Sequence, residues 1–316
     1  MLNTRGKDRW WKRIRSAQVT IRGIWDLDRP MTQINKKVNV LDIQRKKKIK
    51  QPISMITAYD YTSALLVDRS PIDIILVGDS LGMVMLGYSE TVGVTMDEML
   101  HHCRAVAQGS KRAFLVGDLP FLSYQTGLPD AVLNAGRLLK EGGMHAVKLE
   151  GGAHFAPTIT ALVQAGIPVM GHIGLTPQRT SQLGGYRVQG RTAVSAFELL
   201  EDALALEAAG CFAIVLEAVP REVGALVTSK LSIPIIGIGA GPDCDGQVLV
   251  FHDLLGLYDD LKPRFVKEYA QIGQTIDNAL EAYHNDIINR HFPTTAHSYH
   301  MKKDEQDKLS ALLKEK

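Results

Sequence analysis

Ile74-Ile75-Leu76-Val77-Gly78-Asp79-Ser80-Leu81-Gly82 is a β-branched apolar run that delivers a carboxylate and a hydroxyl into a glycine-bounded turn. That is the pattern of a buried strand ending in chemistry. The design repeats. Residues 113–116 stop at Asp118, 146–149 at Glu150, 168–170 at His172 and 213–216 at Glu217. A sandwich or a helical bundle has no reason to put titratable groups at one end of successive strands. A parallel α/β barrel builds its site from the carboxyl ends of its strands.

Working outward, residues 53–56 read as the first strand and 72–77 as the second, with the four runs above as the third to sixth. Residues 235–238 make a seventh, entering Gly239-Ala240-Gly241, and 247–251 a short eighth that ends at His252-Asp253. Helical windows fall between them at 96–108, 129–141, 158–165 and 196–209, and several stop at a glycine: Gly109, Gly142, Gly166, Gly210. Strand and helix alternate, and right-handed crossovers then predict a single (β/α)8 TIM barrel over residues 36–300. A doubly wound open sheet is the rival pattern.

The chain has 316 residues, 45% of them hydrophobic, enough for one barrel core. Its net charge of +2 hides an asymmetry: residues 1–50 are strongly basic and the remainder is acidic. Residues 1–35, with Trp10, Trp11 and Trp25, read as a disordered basic extension. Either it is an arm for an anionic partner or a targeting peptide, or it lies upstream of a start at Met31; Asp8, Asp26 and Asp28 speak against a transit peptide. The lysine-rich segment 36–50 predicts a short amphipathic helix closing the barrel's bottom, its charges a solvated face rather than a nucleic-acid site. Residues 301–316 form a polar tail. Cys103, Cys211 and Cys244 have neither C-x-x-C nor zinc spacing, which suits a reducing cytoplasm. No apolar segment approaches the roughly 20 residues of a membrane span, so a soluble protein without a membrane partner is expected.

Asp79, Asp118 and Glu150 come from the ends of strands two, three and four. Converging acids repel one another unless a cation joins them, so a divalent metal is expected. Oxygen donors without a thiolate favour Mg2+ over Zn2+, with Mn2+ or Co2+ able to substitute. The plainer alternative for any one acid is a helix cap. Lys148 shares the inward face with Glu150 by the period of two; it would bind a substrate carboxylate, act as a Schiff-base nucleophile, or sit in a structural ion pair. His172, in Gly171-His172-Ile173-Gly174-Leu175-Thr176-Pro177-Gln178, is suited to polarising a carbonyl or enolate oxygen, or is a satisfied core histidine. Glu217 follows a wholly apolar run, whose burial should raise its carboxyl toward a useful general base. Gly239-Ala240-Gly241 is not a dinucleotide fingerprint; it permits a tight turn or close approach to a ligand. The polar loop Gly184-Gly185-Tyr186-Arg187-Val188-Gln189-Gly190-Arg191 would make a lid.

Together with Thr57-Ala58-Tyr59-Asp60-Tyr61, Asp118-Leu119-Pro120-Phe121 and Val147-Lys148-Leu149-Glu150-Gly151-Gly152, these motifs resemble the ketopantoate hydroxymethyltransferase family over about residues 37–300. The resemblance implies a (β/α)8 barrel of the phosphoenolpyruvate/pyruvate superfamily and the first committed step of pantothenate synthesis, toward coenzyme A. It implies transfer of a hydroxymethyl group from 5,10-methylenetetrahydrofolate, the cosubstrate, to 3-methyl-2-oxobutanoate, giving 2-dehydropantoate through a metal-stabilised enolate. By motif position, Asp79 and Asp118 are implied Mg2+ ligands, with Glu150 completing the site directly or through water. Ser80, with Asp79 and Asp118, would hold the 2-oxo acid, and Lys148 its charged end. Glu217 matches the proton acceptor, and His172 a supporting residue at the mouth. A homodecamer of two pentameric rings is also implied. One departure stands out: Val92-Gly93-Val94-Thr95 lacks the proline that the family usually has before Val-Thr, so a freer loop is expected there.

Two rival readings remain at this stage. One is another metal-dependent 2-oxo-acid aldolase or lyase on the same barrel, which for the isocitrate type calls for a cysteine on a mouth loop. The other is a catalytically dead barrel serving as a scaffold, for which acids at the mouth have no use.

Overall fold

In the computed structural model, which describes residues 36–180, 185–258 and 263–315, eight parallel strands close in chain order into a barrel. They are β1 (Ile53–Thr57), β2 (Ile74–Val77), β3 (Phe114–Asp118), β4 (Ala146–Glu150), β5 (Val169–Gly174), β6 (Ala213–Glu217), β7 (Ile235–Ile238) and β8 (Gly246–Leu249). β8 pairs with β1 through Ile53↔Gly246 to Ile56↔Leu249, which shuts the ring and leaves no open edge. The expected extension over residues 1–35 lies outside the described residues.

The period of two divides each strand between two cores. Ile53, Met55, Ile74, Leu76, Phe114, Val116, Ala146, Met170, Ala213, Val215, Ile236 and Val248 point inward and fill the barrel. Ile75, Val77, Leu115, Val147, Leu149, Ile214, Leu216 and Ile235 point outward against the helices. Those helices include α2 (Tyr61–Asp68), α4 (Met96–Gly109), α5 (Leu128–Lys140), α6 (Ala156–Gln164), α7 (Ala193–Ala208) and α8 (Arg221–Lys230); α3 (Leu81–Val84) is a single turn after β2. Glycine ends two connections where the backbone turns left-handed, Gly166 at φ +82° and Gly210 at φ +102°.

The bottom is stoppered by α1 (Val40–Lys48), which begins in a capping box: Asp42 N–H donates to Asn39 Oδ1 and Asn39 N–H to Asp42 Oδ2. Its one fully buried side chain, Ile43, joins the inner core. The lysine run is only partly a solvated face. Lys46 pairs with Asp73 at 2.5 Å and Lys47 with Asp245 at 2.7 Å, so two of its charges dock the helix onto loops beneath the strands.

Strand limits depart from expectation where sequence patterns are weakest. β5 runs on through Gly174, which places His172 inside the strand rather than beyond its end. β8 stops at Leu249, because Phe251 N–H donates to Thr57 Oγ1 and the chain turns there into α9 (Phe251–Leu255), which carries His252 and Asp253. The segment without proline forms a short 3-10 turn, Thr91–Gly93, leading into the Thr95–Glu98 capping box of α4. Beyond the barrel, α10 (Ile272–Ile288) and α11 (Lys303–Lys314) bury no residue, and α11 occupies the polar tail. The cysteines are free, and no helix of the described residues is long and apolar enough to cross a membrane.

Ile43→Ala removes the stopper's only fully buried side chain and should cost about 2–5 kcal/mol of unfolding free energy. A urea titration reads this directly; an unchanged midpoint would show that α1 contributes nothing to the barrel's closure.

Candidate active site

The carboxyl ends of the strands open into a cavity of about 980 Å³, lined among others by Asp79, Ser80, Asp118, Lys148, Glu150, His172 and Glu217. All seven residues singled out from the sequence therefore face one space. Asp118, Lys148, Glu150 and Glu217 are inward positions, two residues on from Val116, Ala146, Lys148 and Val215. Asp79 lies beyond the end of β2, in a turn that Gly78 permits: a Cβ there would stand 3.0 Å from Ser80 Oγ and 3.3 Å from Asp118 Oδ2. With no side chain in the way, Asp79 N–H donates to Asp118 Oδ2 at 3.0 Å. Ser80 Oγ lies 2.8 Å from the hydroxyl of buried Tyr59, whose carbonyl is held in turn by His102 Nδ1 at 2.6 Å.

Charge dominates this end. Lys148 Nζ stands 2.9 Å from Asp118 Oδ1; His172 Nε2 is 3.1 Å from Glu217 Oε2, and its Nδ1 is 3.3 Å from Glu150 Oε1. Burial and Lys148 both oppose an imidazolium at His172, but Glu150 and Glu217 on either side outweigh them and hold its pKa up at about 9. Nδ1 also lies 3.3 Å from Lys148 Nζ, and a protonated ring cannot accept that hydrogen bond, so we assign Nδ1–H to Glu150 and turn Lys148 toward Asp118. Burial works against the Lys148 ammonium too, yet Asp118, Glu150 and Asp79 raise its pKa above the ordinary lysine value. A lysine held charged is in the wrong state for a Schiff-base nucleophile.

Burial, Asp118 and Glu150 together push the Asp79 carboxyl well above the usual carboxylate range; burial raises Asp118 as well, against the pull of Lys148. At Glu150 the desolvation penalty is exceeded by His172 and Lys148, so its pKa falls. Asp79, Asp118, Glu150 and Glu217 set against Lys148 and His172 leave two negative charges without a counterpart in the cluster. Asp79 is where the structure would take up a proton or a cation.

The residues fit a divalent ion of the hard kind. Two facing carboxylates supply oxygen donors, Asp118 Oδ1 is buried without an aligned hydrogen bond, and no cysteine among the described residues lines the cavity. No group of three or more His, Cys, Asp or Glu side chains among the described residues stands at mutual metal-ligating spacing. Both oxygens of Glu150 are engaged, by His172 and by the Gln178 backbone N–H at 3.0 Å.

Gln178 carries no charge, and the sequence reading gave it no role. Its Nε2 donates to Asp79 Oδ2 at 2.8 Å and to Leu119 O at 3.0 Å, while its Oε1 lies 2.9 Å from the hydroxyl of Tyr124, itself bonded to the Glu150 backbone. One buried amide thus ties the loop after β5 to two of the acids. Glu217 is less buried than its apolar run suggests, with 15% of its side chain exposed. Its backbone is tightly placed: Ala218 is left-handed at φ +46°, and a Cβ on Gly174 would fall 2.2 Å from Glu217 O. Tyr186, Arg187 and Val188 of the glycine-rich loop line the cavity; Gly184 lies outside the described residues.

A model of the ketopantoate hydroxymethyltransferase family matches residues 37–295. The 3-methyl-2-oxobutanoate hydroxymethyltransferase of Moorella thermoacetica is 57% identical over 263 residues, covering 83% of this chain and 98% of that protein. The enzyme of the same name from Chloroflexus aurantiacus is 56% identical, covering 84% and 94%. Among solved structures, a phosphonopyruvate hydrolase superposes with a TM-score of 0.55 at 11% identity, covering 87% of this chain and 98% of that one. A 2,3-dimethylmalate lyase, a member of the PEP mutase/isocitrate lyase superfamily, superposes with 0.52 at 15%, covering 87% and 98%. These two show the shared barrel.

The imidazolium bridge gives a pH signature. The pKa of His172 rises on folding from about 6.5 to about 9, so the bridge's stabilisation is fully present below pH 6.5 and is lost as pH climbs through 9. Metal-free protein should show a falling thermal midpoint across that window, and His172→Asn should flatten it; parallel curves for the two would sink the assignment.

Proposed function

The chain belongs to the ketopantoate hydroxymethyltransferase family, and from that premise we propose how its cavity performs the reaction. The enzyme is a transferase that places a hydroxymethyl group on 3-methyl-2-oxobutanoate. In the reading proposed here the donor is 5,10-methylenetetrahydrofolate, the product is 2-dehydropantoate for pantothenate synthesis, and the enzyme works in the cytoplasm as a homodecamer with Mg2+, or with Mn2+ or Co2+ in its place. One observation carries the metal part: the excess negative charge at Asp79 and Asp118, beside a charged lysine and across one cavity from a histidine-braced glutamate.

The chemistry asks for a proton to leave C3 of a 2-oxo acid, a weakly acidic carbon. Lys148, kept as ammonium, attracts the substrate carboxylate, and the Ser80 hydroxyl, anchored by Tyr59, gives the bound acid a hydrogen-bond partner. Glu217 takes the C3 proton. His172 holds its Oε2, and its other oxygen has no partner among the described residues, which leaves that atom to act as the base. A divalent metal on Asp79 and Asp118, reached by Glu150 through water, would polarise the 2-oxo group and stabilise the charge left when the proton departs. Gln178 keeps Asp79 and Glu150 in register with the loop above them. The carbanionic C3 then attacks the methylene carbon of the donor as one of its C–N bonds opens, and water supplies the hydroxyl oxygen as the second C–N bond breaks, releasing tetrahydrofolate. A lyase of the isocitrate type would need a thiol at the mouth, but Cys103 and Cys211 are buried and the cavity lining contains no cysteine among the described residues.

Deuterium exchange at C3 of 3-methyl-2-oxobutanoate, followed by NMR with Mg2+ and tetrahydrofolate present, tests the assignment of roles. Glu217→Gln should slow exchange by about 10²–10⁴-fold while still binding metal and oxo acid; exchange at the wild-type rate would remove Glu217 as the base. Asp79→Asn should instead abolish metal-dependent binding of the acid, seen by calorimetry. A Gln178→Ala chain should bind Mg2+ about 10- to 100-fold more weakly, the usual effect of losing a partner that orients a ligand; unchanged affinity would reduce Gln178 to a loop anchor.

A further inference from the structure

The cavity is much larger than its charged end. At about 980 Å³ it matches the largest sites that take drug-sized ligands, about 300–1,000 Å³, and a five-carbon acid fills only a minor part of it. Part of its wall is apolar: Ile238, the strand partner of Glu217, with Val248, Val250 and Phe265 and the backbone of Gly239 and Gly241. The Gly239-Ala240-Gly241 motif acquires a reason here. Gly239 is left-handed at φ +66°, and a Cβ on it would stand 2.6 Å from Phe265 Cδ1. The missing side chain is what lets the phenyl ring lie against the end of β7.

A carboxylate near Tyr59 lines the same cavity. Asp253, on α9, lines the cavity half-buried, and its carboxylate makes no hydrogen bond or ion pair among the described residues. Burial pushes its carboxyl up to about 6, so at neutral pH it carries a charge that no group among the described residues pairs with. Such a group is a cost to folding and a waiting acceptor for a ligand's N–H. Exposed Arg187, Arg221 and Arg264 line the same cavity and supply cations at its rim.

We propose that the cavity also seats the pterin end of the folate donor, with Phe265 against the ring and Asp253 accepting from its 2-amino and N3–H groups. A flat heterocycle with two adjacent N–H donors matches an aromatic wall beside a single carboxylate, and the anionic glutamyl tail matches the rim arginines. The inference rests on the folate reading of the preceding subsection. It places donor and acid in one cavity, so that a C3 carbanion forms beside the one-carbon unit.

The test is equilibrium binding of tetrahydrofolate and of 3-methyl-2-oxobutanoate to the full Mg2+-loaded chain, in wild type, Asp253→Asn and Phe265→Leu. Asp253→Asn should weaken tetrahydrofolate about 10- to 100-fold, as expected for lost charge-assisted bonds, and Phe265→Leu several-fold, with oxo-acid affinity within twofold of wild type. The thermal midpoint of Asp253→Asn at pH 8 should equal or exceed that of wild type, because an unpaired carboxylate has been removed; a purely structural aspartate would lower it. Unchanged tetrahydrofolate affinity in both variants, or equal losses for the two ligands, would overturn the proposal. Wild type that fails to bind tetrahydrofolate at all would overturn the folate reading itself, and the proposal with it.

Discussion

Buried charge governs this molecule. Lys148 and Asp118 face each other above the apolar filling of the barrel, and removing one member of such a pair leaves the other uncompensated at about 3–5 kcal/mol. The pair is tolerable only because it belongs to a set, with His172 between two glutamates and Asp79 against Asp118. The set is still too negative by itself. A cluster that a divalent ion would balance is poorly made for stability and well made for binding one, and that conflict points to function more firmly than any single residue does.

The barrel keeps this conflict away from what holds it together. Along the strands the lower inward positions are Ile, Leu, Met, Phe, Val and Ala, and the polar ones follow toward the carboxyl ends, beginning at Lys148 in β4 and His172 in β5. Ile43 stoppers the opposite end, and Lys46 and Lys47 find their acids there. Glycine does the remaining work at the top. Gly78 lets Asp79 reach Asp118, Gly174 gives way to the Glu217 carbonyl, and Gly239 admits Phe265. Each is a place where a Cβ would displace a group with a part in the chemistry.

Much of this could be read from residue order, because a strand's period of two converts sequence directly into facing: once residues 146–149 are a strand, Lys148 and Glu150 must share a side. The strands that end in acids could be read for the same reason. What escaped depends on contacts between distant parts of the chain. Gln178 touches Asp79 across 99 positions, and an uncharged amide directly after a threonine-proline pair gives no local sign of that. Glycines at 171 and 174 interrupt the apolar pattern, so the fifth strand reads short, although Gly171 is needed where Leu206 packs against it. The eighth strand reads long because Val250 and Phe251 continue the apolar run, while a hydroxyl on Thr57 turns the backbone into a helix.

The same logic explains why Asp253 drew no attention as a site residue. Read from the sequence as the end of the eighth strand, it is one more acid at the mouth. Placed on a helix after the strand, it lies half-buried near Tyr59 with no hydrogen bond or ion pair to its carboxylate among the described residues. An acid next to Lys148 is explained by Lys148; an acid next to Val250 is not explained by its neighbours. Asp79 and Asp253 thus pose the same physical problem in two parts of one cavity, each carrying negative charge that the protein leaves unmatched. In the proposed reading the first takes a compact cation and the second the N–H edge of the donor's ring, and a reaction joining an oxo acid to a carried one-carbon unit would need both kinds of guest at once.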